Sequence, residues 1–155
     1  KDIETKLGPA MVRKQLLQAR DVLVDQLIAA AKIPVSDVVI KREVESHLEG
    51  EGRQQDDEHR KEVTEESTKG FQSQLLLDAI AEKEDIKVED QELIEYLAQA
   101  SRSYGMDPND FIRQVADAGQ VPVFVSDLAR RKAVDLILAQ AEVSDSEGKK
   151  VEVSA

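Results

Sequence analysis

Two histidines, His47 and His59, and a dense scatter of carboxylates are the residues whose types offer the widest chemistry in this chain. Imidazoles ligate metal ions when a His-x-x-x-His spacing puts two of them on one helical face, and a positioned carboxylate serves as acid or base. That histidine spacing is absent: His47 and His59 fall on separate predicted helical segments, read as solvent-facing, and no metal is expected. The run "DDEH", Asp56 to His59, crowds hard ligands together but lacks the Gly turn and distal Glu of a calcium loop. It reads as a solvated helix start, where carboxylates favour the helix dipole. Ser101 and Ser126 have no Gly-x-Ser-x-Gly elbow around them, and there is no Gly-rich phosphate loop. With no cysteine there is no thiolate nucleophile, disulfide or Cys-ligated metal. Nucleophile, base and orienting group are not found together, so no catalytic residue, no cofactor and no enzyme activity are expected.

What remains is surface and shape. At 155 residues the chain suits one domain of ordinary size, and its 41% hydrophobic content is enough for a core. Aromatics are only 3%, so that core is built from Leu, Ile, Val and Ala, which favours helices packed on helices. A formal charge of -11 repels phosphate backbones, and direct nucleic-acid binding is not expected. No run of 18 apolar residues is present, so no membrane span is expected either. The chain begins at Lys1 with no signal-peptide pattern, and is expected to be an excised piece of a longer protein or a processed product.

The elements read as follows. Val12, Leu16, Leu17, Leu23, Val24, Leu27, Ile28 and Ala31 share one side of a helix that begins near Pro9 and ends about Ile33, before Pro34. Ser36 caps a shorter helix with Val38, Val39, Ile40, Val44 and Leu48, closing in a turn at Gly50 and Gly52. A long helix from about Asp56 to Lys83, about 42 Å at the standard rise, has a polar half with Val63 alone and an apolar half from Phe71 to Ala81. Its polar half is expected to project as an arm, paired with the preceding helix in a hairpin near residues 45–70; a disordered acidic loop over Gly50 to Lys69 is the alternative. Asp90 or Glu89 caps a helix ending at Gly105, Asp107-Pro108 opens a short one stopping at Gly119, and Val121 onward forms the last, apolar nearly all round from Ala133 to Ala141 and so placed mid-core. A helical domain over 1–145 and a mobile polar tail over 146–155 complete the expectation, with no strand pattern. Apolar stripes between long polar arms suit a groove that binds another chain, although each stripe taken singly also satisfies core demand.

The order of three stretches carries a resemblance. "AAAKIPVSDVVIKREVE", "FQSQLLLDAIAEKEDIKVEDQELIEYLAQASRSYG" and "FVSDLARRKAVDLILAQAEVSD" together resemble the C-terminal, substrate-binding domain of trigger factor, the ribosome-associated bacterial chaperone, from about Val12 to Asp145. The resemblance implies an all-α, multi-helix body with projecting helical arms that holds unfolded or nascent polypeptides without nucleotide, in the cytoplasm. The family's ribosome-docking and peptidyl-prolyl isomerase parts are not recognised in this sequence, so a ribosome is expected as partner only through a domain absent here. A weak homodimer is also entertained. SurA-like periplasmic chaperones resemble the same helix-link-helix run, and a helical adaptor or dimerisation module for one folded partner is the alternative from another class.

Client contact is expected at Phe71, Leu75, Tyr96, Tyr104, Met106, Phe111, Val123 and Phe124, which are large or adaptable and lie at helix ends or stripe edges. Leu93, Leu97, Leu136 and Ile137 are assigned to core.

Overall fold

Six helices and no strand are found among the described residues, which in this computed structural model are 2–141, with side chains described from Lys14 onward apart from Leu16. The tail expected over 146–155 and the side chains of Val12 and Leu16 lie outside them. In chain order the helices are α1 (Asp2–Ala31), α2 (Asp37–Glu51), α3 (Asp57–Lys83), α4 (Asp90–Ser103), α5 (Pro108–Asp117) and α6 (Val121–Gln140). The chain divides into two compact units, residues 2–76 and 77–141, and the division falls within α3.

In the first unit, α1 begins at Asp2 and carries through Gly8-Pro9, where a start near Pro9 is expected from sequence. A proline removes one backbone donor and bends a helix without having to end it. The other end is closer to expectation: Lys32 turns left-handed (φ 48°) and its N–H reaches the Ile28 carbonyl at 3.1 Å, ahead of Pro34.

Ile40, Val44 and Leu48 recur every four residues on α2 and are buried at 7%, 3% and 0% exposure. Val38 and Val39, expected in the same stripe, are exposed at 75% and 44%. Each residue advances about 100° around a helix, so positions next to Ile40 leave its line while those four apart keep it. Gly52, left-handed at φ 68°, closes α2, and the Arg53 N–H returns to the Leu48 carbonyl at 2.9 Å. A residue with a Cβ would be strained in that backbone conformation.

The acidic stretch after this turn is helical from Asp57, which overturns the disordered-loop alternative. Its one large apolar residue explains why: Val63 is buried in a cluster with Ile40, Val44 and Leu48, against which Val35 and Phe71 also pack. The α2–α3 hairpin is laced by an Arg60–Glu45 ion pair, and α3 continues past α1 with Lys69 Nζ 2.8 Å from Asp25 and Gln72 Nε2 donating to the Ile33 carbonyl at 3.0 Å. The two histidines stand on separate helices as expected and His47 is exposed, but His59 does not face solvent. The chain doubles back, the His47 and His59 ring centroids lie 5.6 Å apart, and the His59 side chain is only 15% exposed.

In the second unit, Asp85 (φ 49°) bends the link after α3, and Glu89 precedes α4 with its N–H held by the Glu92 carboxylate at 2.9 Å. Gly105, at φ 64°, ends the α4 turn, and the Asp107 carboxylate then accepts from the Asn109 and Asp110 N–H groups at 2.9 and 3.4 Å to open α5 on Pro108. Leu97, Phe111 and Val115 form the buried cluster, with Leu93, Met106, Val121 and Phe124 packed against it. The last helix is less enclosed than its composition suggests: Ala133 and Leu138 are buried, whereas Val134, Leu136 and Ile137 are half-buried. Being apolar on all sides permits burial, but neighbours decide which side receives it. No helix among the described residues is long and apolar enough to cross a membrane.

Candidate functional site

Four aromatic rings from three helices line up in the unit 77–141. Tyr104, at the end of α4, stacks on Phe111 of α5 with centroids 5.2 Å apart and planes at 22°. Phe111 meets Phe124 of α6 edge-on at 5.9 Å and 86°, and Phe124 meets Tyr96 of α4 at 6.3 Å and 63°. Edge-to-face and offset arrangements match the ring quadrupoles. The array has a depth gradient: Phe111 is buried at 7%, Tyr96, Met106 and Phe124 are half-buried, and Tyr104 is 68% exposed. Val123, next to Phe124 in sequence, is 58% exposed. Arg131 lies over the Tyr96 ring with its guanidinium carbon 5.2 Å from the centroid, covering one face of it.

Six of the eight residues expected to touch a client, Tyr96, Tyr104, Met106, Phe111, Val123 and Phe124, thus fall in this unit, and Phe71 and Leu75 in the other. Their accessibility separates them. Leu75 (48% exposed), Tyr104 and Val123 present large apolar surface; Phe71 is half-buried against the α2–α3 cluster; Phe111 belongs to the core. Size and position at a helix end, the grounds for expecting all eight, do not report depth. Further large apolar residues outside the expected eight are exposed: Ile94 in this unit, and Leu17, Val22, Val38 and Val39 in the other. For Val22, Val38 and Ile94 the signal is adjacency, since a large apolar residue beside a stripe residue sits about 100° off the buried line.

The array is held in place by charge. Lys132 on α6 donates to both oxygens of Glu92 on α4, at 2.8 and 2.8 Å, and to the Lys87 carbonyl at 2.6 Å. Arg130 clamps Asp78 with two hydrogen bonds, at 2.6 and 3.0 Å, and reaches Asp127 at 2.9 Å. The Lys132 hydrogen bond, and then the Glu89 N–H, hold the Glu92 carboxyl below the usual glutamate range. A carboxyl whose folded pKa is depressed stabilises the fold above its unfolded value, about 4.3, and that contribution is lost as pH falls through the folded value. Acid unfolding followed by circular dichroism is therefore expected to lose part of its pH dependence below about pH 4.3 in Glu92→Gln. An unchanged profile would remove Glu92 from the account.

A family model described as bacterial trigger factor protein C-terminus matches residues 1–139. The chain is 44% identical over 153 residues to the trigger factor of Clavibacter michiganensis subsp. michiganensis, covering 99% of this chain and 32% of that protein. It is 46% identical over 136 residues to that of Leifsonia xyli subsp. xyli, covering 88% and 29%. A solved chain from work on trigger factor domains of Thermotoga maritima superposes with a TM-score of 0.68 at 21% identity, covering 82% of this chain and 83% of that one, a likeness of fold. The chain spans about a third of the length of the curated relatives it matches.

Proposed function

The chain belongs to the trigger factor family, as a member of its C-terminal part, and from that premise we propose that it is an ATP-independent chaperone domain that binds unfolded or nascent polypeptides through exposed apolar side chains. The observation that carries the reading is the set of large apolar residues left uncovered in both units, with Tyr104, Val123 and Ile94 in one and Leu75, Val38 and Val22 in the other. Such side chains favour contact with any chain that still displays apolar residues.

Each contact is weak by construction. About 100 Å² of apolar area removed from water yields about 2.5 kcal/mol before ordering costs, so a single patch releases its segment quickly. Several patches engaging one flexible client raise retention by effective concentration, without a nucleotide cycle. The acidic surface keeps the domain dispersed and disfavours acidic client segments, so apolar segments flanked by Lys and Arg are preferred. We propose no catalytic role for this stretch, and assign ribosome docking and prolyl isomerisation to other parts of trigger factor. The proposed place of action is the cytoplasm.

Titration with several unrelated proteins, each in unfolded and folded form, tests this reading. Unfolded clients are expected to bind with affinities within about tenfold of one another, a spread of about 1.4 kcal/mol, while their folded forms do not bind. Binding confined to one folded partner would instead identify an adaptor.

A further inference from the structure

The turn of the α2–α3 hairpin gathers a donor set that includes none of the residues expected to touch a client. His47 and Glu51 stand four residues apart on α2, and His59 approaches from the first turn of α3. His59 Nε2 lies 2.8 Å from Glu51 Oε2 and His47 Nε2 lies 3.4 Å from Glu51 Oε1. One ligand atom from each of the three residues falls within 4.8 Å of the others. We propose that His47, Glu51 and His59 form a binding site for a borderline divalent transition ion, with Zn²⁺ as the natural occupant.

Geometry and chemistry favour this ion class. A tetrahedral ion with bonds of about 2.0–2.1 Å spaces its ligand atoms about 3.3–3.4 Å apart. The His47 Nε2–Glu51 Oε1 separation of 3.4 Å has that value, while His59 Nε2 lies 2.8 Å from the other oxygen, Oε2, so one Glu51 oxygen serves both rings only once the carboxylate turns. Two imidazoles with one carboxylate suit Zn²⁺, Ni²⁺ or Cu²⁺ and are poor hosts for Mg²⁺ or Ca²⁺, which take oxygen ligands. Three protein ligands leave the fourth position to water.

The surroundings are those of a ligating histidine. A metal-bound imidazole commonly gives its second ring N–H to a carboxylate, and His59 Nδ1 faces Glu62 Oε2 at 3.5 Å while its Nε2 faces Glu51. The His59 backbone N–H is bonded to Asp56 Oδ1 at 2.9 Å, which fixes the start of α3, and its ring is mostly enclosed. Arg53 is the cation nearest Glu51, at 3.7 Å, but it is drawn to Asp56, with Nη2 at 2.7 Å and Nε at 3.3 Å. An ion here would join the end of α2 to the start of α3 and clip the hairpin shut at its turn.

Calorimetric titration of the 155-residue chain, free of any histidine tag and stripped with a chelator, tests the site with ZnCl₂ in the presence of millimolar Mg²⁺. One Zn²⁺ per chain is expected, unaffected by Mg²⁺. Binding should weaken by more than about 100-fold in His47→Ala, and by about tenfold in Glu62→Gln, the scale of a lost outer partner. His47 is exposed, so its variant keeps the helical circular dichroism of the parent and stays interpretable even where His59→Gln does not fold. Absence of a one-to-one zinc isotherm would overturn the proposal, as would binding that Mg²⁺ displaces or that His47→Ala leaves unchanged.

Discussion

Phe111→Ala is expected to destabilise the unit 77–141 by about 3–5 kcal/mol, the scale of emptying a buried aromatic site. The ring is 7% exposed, contacts Tyr104 and Phe124, and shares the cluster with Leu97 and Val115, so its removal leaves a cavity bordered by α4, α5 and α6. Domains of this kind have stabilities of about 5–15 kcal/mol, so the loss is a large part of the whole. Chemical denaturation followed by circular dichroism checks it. Tyr104→Ser should behave differently. With 68% of Tyr104 already in water, its stack on Phe111 is worth about 0.5–1.5 kcal/mol beyond area burial. A cost for Phe111→Ala as small as that of Tyr104→Ser would mean the ring array is not a core.

This contrast bears on how client binding is dissected. Phe71 packs on the α2–α3 cluster and Phe124 on the α4–α5 cluster, so replacing either with a polar residue would impair packing and binding together. Effects on a client would then report unfolding.

Much of the architecture was legible because it rests on local chemistry. The Asp107-Pro108 start of α5 and the Gly105 end of the α4 turn are written in residues with narrow backbone preferences, and each lies where expected. The Ile40, Val44 and Leu48 line is likewise a local spacing. Depth was harder to read. Val38 and Val39 look like core residues until the partner helix selects one line of α2, and the selection depends on Val63, which only tertiary packing brings there. The same folding back joins His47 to His59, a pairing with no local signature. Tyr96, Tyr104, Phe111 and Phe124 are each expected from sequence to face a client, but their contact with one another and their order from Phe111 inward to Tyr104 outward have no local signal, because three helices set both. The bond of Lys132 to Glu92 and the Lys87 carbonyl was also beyond reach, since charged residues are too frequent in this chain for any one pairing to stand out.

The larger functional effect is expected from the triple variant Leu75→Ser, Tyr104→Ser, Val123→Ser. These residues are 48%, 68% and 58% exposed and come from both units, so the variant removes apolar surface from each while leaving Phe111, Leu97 and Leu48 in place. If each residue contributes on the order of 1 kcal/mol to holding a client, the three together account for about 3 kcal/mol, or roughly 100-fold in affinity. Contributions of neighbouring contacts are not additive, so a weakening of at least about tenfold is expected. The deciding measurement is the affinity of the intact chain and of this triple variant for one chemically unfolded client, with helical content matched by circular dichroism. A drop of about tenfold or more with unchanged helicity is the result predicted for a chaperone surface made of exposed apolar side chains. Equal affinity at equal helicity would contradict it and place client binding elsewhere on the chain.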